Sequence, residues 1–81
     1  MSSEHIRTTL RDFITRELIR DAGYPLQDDE GIISNGLMDS FALAELAVFI
    51  ETEFNVYIPD PDLTVAKMDT LAQIVARVGQ G

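Results

Sequence analysis

Asp39-Ser40-Phe41-Ala42-Leu43-Ala44-Glu45-Leu46-Ala47-Val48-Phe49-Ile50-Glu51-Thr52-Glu53-Phe54 is the segment from which the architecture of this chain can be read. Leu43, Leu46, Ala47, Ile50 and Phe54 recur at helical spacing, and at about 100° per residue they form one apolar stripe. Asp39 and Ser40 both suit the start of that helix, because their side-chain oxygens accept the free N–H groups of a first turn. The opposite face is not uniformly polar: Phe41, Ala44, Val48 and Thr52 fall there with Glu45, and Glu51 flanks them. Two readings stand side by side. Scattered exposed apolar residues are ordinary in globular proteins; apolar residues ringed by acids also suit a partner with an apolar pocket and a basic rim.

On the N-terminal side, Ile6, Leu10, Phe13, Ile14 and Leu18 mark a first amphipathic helix, from about residue 3 to residue 22. Asp12 and Arg16 stand four apart on its polar side and suit a weak surface ion pair. Gly23 after Ala22 is a natural stop, and Pro25 follows it. Residues 23–39 then read as a long loop with a Ser34-Asn35-Gly36 turn signal, pinned to the core by Ile32, Ile33 and Leu37. On the C-terminal side, helix two runs from about 40 to 54 and Asn55 closes it. Val56-Tyr57-Ile58-Pro59 is an extended connector, bounded by proline. A short third helix is expected at about 62–66, and a fourth at about 70–78, where Thr70 and Gln73 form a capping box. Leu71, Ile74, Val75 and Val78 supply its apolar face. The fold class is therefore all-α: a small bundle of three major helices plus one short one, with a long loop between helices one and two.

The 81 residues suffice for one domain spanning 1–81, with 46% hydrophobic and 25% charged residues, an ordinary globular balance. Six Lys and Arg against fourteen Asp and Glu leave a formal charge of −8, which argues against nucleic acid as a partner. The charge is uneven. No Lys or Arg occurs from Ala22 to Ala66, while nine acids do: Asp28, Asp29, Glu30, Asp39, Glu45, Glu51, Glu53, Asp60 and Asp62. Such a negative pole serves solubility or a basic partner. The longest apolar run is Leu46–Ile50, far short of the ~20 residues that span a bilayer, so membrane insertion is not expected. Met1-Ser2-Ser3-Glu4-His5 does not read as a signal peptide, and with no cysteine the chain fits a reducing, cytoplasmic compartment. The expected state is a monomer.

Catalytic constellations are missing. His5 is the sole histidine and sits near the N-terminus, so no Ser/His/Asp set can be assembled around a core serine. Asp28-Asp29-Glu30 and Asp60-Pro61-Asp62 lack the spacing of a calcium loop, and no metal site is expected. The chain is not expected to be an enzyme. What remains is Gly36-Leu37-Met38-Asp39-Ser40-Phe41, a serine at the mouth of an acidic helix. As a cap its hydroxyl contributes ~1 kcal/mol. As an attachment point it would set a phosphodiester against free backbone N–H groups and the positive end of a helix dipole.

Taken together, Asp39-Ser40, then Phe54 fourteen residues on, then Ile58-Pro59, resembles the acyl and peptidyl carrier protein family. Glu51-Thr52-Glu53-Phe54-Asn55-Val56-Tyr57-Ile58-Pro59 is similar to that family's E-x-E-F-x-(V/I)-x-(I/V)-P stretch, and Leu63–Leu71 to its short third helix and the start of its fourth. The resemblance implies that Ser40 is the attachment site of 4′-phosphopantetheine, delivered from coenzyme A by a phosphopantetheinyl transferase. Asp39 would be the motif acid before it. Phe41, Glu45, Val48 and Glu51 would form the recognition surface for an adenylating or acyl-loading enzyme and for downstream acyl-processing enzymes. The cargo would be an acyl or aminoacyl thioester. Phe41 stands where the family usually has Leu, which would narrow the set of partners. Gly36-Leu37-Met38-Asp39-Ser40 is one residue longer than the common Gly-x-Asp-Ser and is close to the G-L-L-D-S of freestanding carriers paired with separate adenylating enzymes, D-alanyl carriers among them. A specialised pathway is thereby implied. The rival reading keeps the bundle and makes the protein an unmodified acidic adaptor in which Ser40 is only a helix cap.

Overall fold

The computed structural model describes residues 2–80. Its elements are α1 (Ser3–Phe13), continued by a π-helical stretch (Ile14–Ile19), α2 (Ala42–Phe54), a 3-10 turn (Asp60–Asp62), α3 (Val65–Met68) and α4 (Leu71–Gly79). No strand occurs among the described residues, and the whole measures 27 × 25 × 20 Å. The chain is an all-helical bundle of the expected class.

Ser2 caps α1, its Oγ accepting the His5 amide at 3.2 Å, and Ile6, Leu10 and Ile14 enter the core. The first helix ends earlier than its sequence suggests. Arg20, not a residue near Gly23, takes the left-handed conformation (φ 65°, ψ 37°) and closes the helix back onto the Thr15 carbonyl. Thr15 is buried, and its hydroxyl donates to Arg11 O at 2.8 Å and to Asp12 O at 3.3 Å. A side-chain donor competing for those carbonyls accompanies the local widening to π geometry, as such back-bonding commonly bends helices. Asp12 and Arg16 straddle this change and do not pair. Instead, Arg7 and Arg11 reach Asp28 at 3.2 and 3.4 Å, fastening the loop to α1.

The loop is held by Leu26, Ile32 and Met38, all buried. Of the expected pins, Ile32 is fully buried, while Ile33 and Leu37 are only half-buried. The second fastening is polar. Asp69, just before α4, accepts the Ile33 and Ser34 amides at 2.8 and 3.0 Å and the Ser34 hydroxyl at 2.6 Å, while its own carbonyl accepts Ile32 N at 2.7 Å. A Cβ at Gly31 would collide with Ser34 Oγ and crowd Asp69 Oδ2, so a side chain there would have to displace this fastening. Gly36 supplies the positive φ (+78°) that lets the chain turn towards α2.

Asn55 closes α2 in the left-handed conformation (φ 58°). The connector then alternates, with Val56 and Ile58 buried and Tyr57 exposed. The third helix is displaced from 62–66: Pro61 shapes a 3-10 turn, Leu63 is non-helical (φ −85°, ψ 67°), and α3 starts only at Val65. In α4 both bonds of the Thr70–Gln73 capping box form. Leu10, Ile14, Ile32, Leu46, Ile50, Met68, Leu71 and Ile74 are completely enclosed, so every long helix and the loop contribute to one core. Phe13 stacks on Phe49 with centroids 4.0 Å apart and seals α1 against α2. No helix among the described residues is long and apolar enough to cross a membrane.

Candidate functional site

Met38 and Leu43, both buried, anchor the chain on either side of the α2 entrance, and Asp39, Ser40 and Phe41 between them are exposed. Two good capping residues stand in succession here, and only one of them caps. Asp39 Oδ1 accepts the amide of Ala42, the first residue of α2, at 3.0 Å, and so satisfies a helix-start N–H in the manner of a cap. Phe41 is the residue directly before the helix and makes no side-chain capping bond. The Asp39, Ser40 and Phe41 carbonyls accept from Ala42, Leu43 and Ala44 at 3.2, 3.3 and 3.1 Å, so the helix opens in a tightened turn. Ser40 Oγ makes no hydrogen bond to any described residue. Ser40 is exposed, and its side chain takes no part in the hydrogen bonding of the helix start.

Downstream, Phe41 is 84% exposed and Val48 67%, with Glu45 and Glu51 also exposed. The four expected recognition residues therefore share the outer face of α2, while Leu43, Leu46, Ile50 and Phe54 are buried behind them. Ala47 is half-buried at the edge of the stripe. Neither Glu45 nor Glu51 has an ion-pair partner among the described residues. The cations on the C-terminal side are occupied elsewhere: Lys67 and Arg77 grip Asp62 at 2.9 and 3.3 Å. The Lys67 hydrogen bond, aided by Arg77, holds the Asp62 carboxyl below the usual range despite partial desolvation. Glu45 and Glu51 thus carry their charge on α2 without a directly paired cation among the described residues.

One exposed aromatic escaped the helical pattern. Tyr57, 67% exposed, borders an open groove of about 300 Å³ with Val48, Glu51, Ile58, Asp60 and Leu63, so the apolar surface continues from α2 onto the connector. The signal was present: in an extended segment, buried Val56 and Ile58 force the residue between them outward. His5 packs edge-on against Phe54, 6.3 Å between centroids. Phe54 closes the far end of α2, about 20 Å from Ser40 at 1.5 Å per residue, so His5 cannot serve as a base there.

The arrangement offers an accessible primary alcohol, amides of a helix start close by, and an apolar, acid-rimmed face leading away from it. The carboxylate next to the alcohol in sequence is Asp39, whose Oδ1 accepts the Ala42 amide.

No family model matches the chain. Over 52 residues it is 38% identical to the D-alanyl carrier protein of Lactobacillus helveticus (strain DPC 4571), covering 64% of this chain and 66% of that protein. The D-alanyl carrier protein of Lactobacillus acidophilus is 36% identical over the same length. That of Leuconostoc mesenteroides subsp. mesenteroides is 35% identical, with 64% of this chain and 67% of the relative covered. The match spans just under two thirds of the two Lactobacillus relatives.

Proposed function

This chain belongs to the family of freestanding carrier proteins, and on that premise we propose that Ser40 bears 4′-phosphopantetheine taken from coenzyme A. The protein then shuttles an acyl or aminoacyl thioester between partner enzymes of a specialised cytoplasmic pathway. The names of its relatives favour a small aminoacyl cargo, D-alanine first.

The supporting observation is the division of labour at the α2 entrance: Asp39 caps the helix, which leaves Ser40 Oγ exposed and unbonded. A serine serving only as a cap would hold a first-turn amide, and this one does not. The residues present fit the group. Negative charge on Ser40 Oγ lies at the positive end of a 13-residue helix, where it is favoured. When bound, the arm supplies the terminal thiol on which cargo is held, a function no side chain here can provide, since cysteine is absent. His5 is remote from Ser40, so this chain offers no imidazole to take the Ser40 proton, and its removal is assigned to the transferase.

The outer face of α2 does the rest. Glu45 and Glu51 draw in basic enzyme mouths and speed encounter, while the exposed Phe41 and Val48 supply a small apolar contact. Such a face favours fast arrival and easy release, which a shuttle needs. The absence of cysteine makes the test clean. After incubation with coenzyme A, magnesium and a broad transferase, then removal of small molecules, one titratable thiol per chain should appear. A chain that stays thiol-free with several transferases would return the reading to an acidic adaptor.

A further inference from the structure

Two depressions flank α2 on opposite sides. One lies towards the connector and α3, lined by Ala44, Val48, Glu51, Tyr57 and Leu63. The other, about 540 Å³ and open, lies towards the first helix and the loop, lined by Leu18, Ile33, Leu37, Met38, Asp39 and Ala42. At about 100° per residue, Ala42 and Glu51 point to opposite flanks of α2, with Phe41, Glu45 and Val48 between them. Of the two, only the second is lined by residues bracketing Ser40: Asp39, which precedes it, and Ala42, two residues after it.

We propose that the arm on Ser40 rests in the depression on the α1 side, against Leu18, Ile33 and Leu37, and leaves the α3-side groove free for the enzyme. This rests on Ser40 being the attachment site. The floor is apolar and already half-exposed: Leu18, Ile33 and Leu37 are partly buried side chains that pack on the core with one side open. The first carbons beyond the phosphate of a pantetheine arm carry two geminal methyl groups, and a tethered group of that kind meets the nearest apolar surface at high effective concentration. Gly36 borders the same depression, with nothing within 4 Å of where a Cβ would stand, so the rim there stays low and the arm can swing out. A parked arm keeps its cargo off the α2 outer face while that face docks, and release requires only loss of a weak apolar contact.

The test compares isotope-labelled apo protein with protein loaded by coenzyme A and a transferase, its loading checked by mass. The expected result is amide and methyl shift changes concentrated at Leu18, Ile33, Leu37 and Ala42, several-fold larger than at Val48, Tyr57 and Leu63. Nuclear Overhauser contacts from the geminal methyls to Leu18 and Leu37 should accompany them. Leu37→Gln and, independently, Leu18→Gln should each remove these contacts in a protein that still loads and remains helical by circular dichroism. A loaded protein with changes confined to Ser40 and its neighbours, or running along Val48, Tyr57 and Leu63, overturns the parking site and leaves the attachment reading intact. A mass that never changes overturns both.

Discussion

Asp39 Oδ1 lies 3.0 Å from the Ala42 amide, and this one bond takes the capping role that Ser40, next in the chain, was equally suited to fill. Helix capping and the proposed attachment thereby fall on different residues. Ser40→Ala should change unfolding free energy by no more than about 0.5 kcal/mol, the range of a neutral surface substitution. Asp39→Ala should cost about 0.5–2 kcal/mol through the lost cap. Urea unfolding of the two variants checks this, and the reverse ranking would contradict it.

Asp69 ties the loop to α4 across 35 residues of sequence, and its ionisation should be visible in acid. Partial burial pushes its carboxyl up, but donation from Ser34 Oγ, Ser34 N and Ile33 N outweighs this and leaves it below the usual range. The folded state therefore binds the proton less readily than the unfolded chain, whose aspartates titrate near ~3.9. The stabilisation is present above that value and is lost as pH falls through the lower folded value. Asp69→Asn should cost about 1–2 kcal/mol at neutral pH and less at an acid pH below the unfolded aspartate's ~3.9, where the unfolded chain takes up the proton first and the stabilisation is already diminishing. Urea midpoints at both pH values measure it; an equal loss at each would refute the clamp.

Much of this was legible along the chain. Thr70 and Gln73 announce α4 because a capping box is local, and the stripe of Leu43, Leu46, Ile50 and Phe54 fixes the inward face of α2 because helical spacing is local too. What escaped depends on distant partners. The loop has no period, so nothing marked Met38 rather than Leu37 as the deeper pin. Arg20 ends the first helix in a conformation that glycine favours, through a π-helical turn no propensity foretells. The Asp69–Ser34 clamp joins residues that no local window contains. Even Asp39 and Ser40, adjacent and both good caps, could not be ranked before the Ala42 amide was placed.

Glu45 and Glu51 face solvent without ion-pair partners, so reversing them should act on encounter more than on folding. Glu45→Lys and Glu51→Lys together should slow arm transfer from coenzyme A several-fold at low salt. The gap should narrow as salt shortens the Debye length to about 10 Å at 0.1 M. Transferase kinetics across a salt series provide the measurement; an unchanged gap would rule out steering.

Tyr57 extends the apolar face beyond α2. Tyr57→Ala should leave stability within about 0.5 kcal/mol, as its ring is mostly solvated. It should weaken binding to a cargo-loading enzyme by about 1 kcal/mol or more, independently of salt. Calorimetric titration decides, and unaltered affinity would confine the docking surface to α2.

The central claim is that Ser40 Oγ is a tether, and intact mass is its most direct test. Wild type and Ser40→Ala are incubated side by side with coenzyme A, magnesium and a phosphopantetheinyl transferase. The account predicts one added phosphopantetheine on the wild type, mapped by peptide fragmentation to Ser40, and no gain on the folded variant. An unmodified wild type, or a variant that gains the same mass, would contradict it.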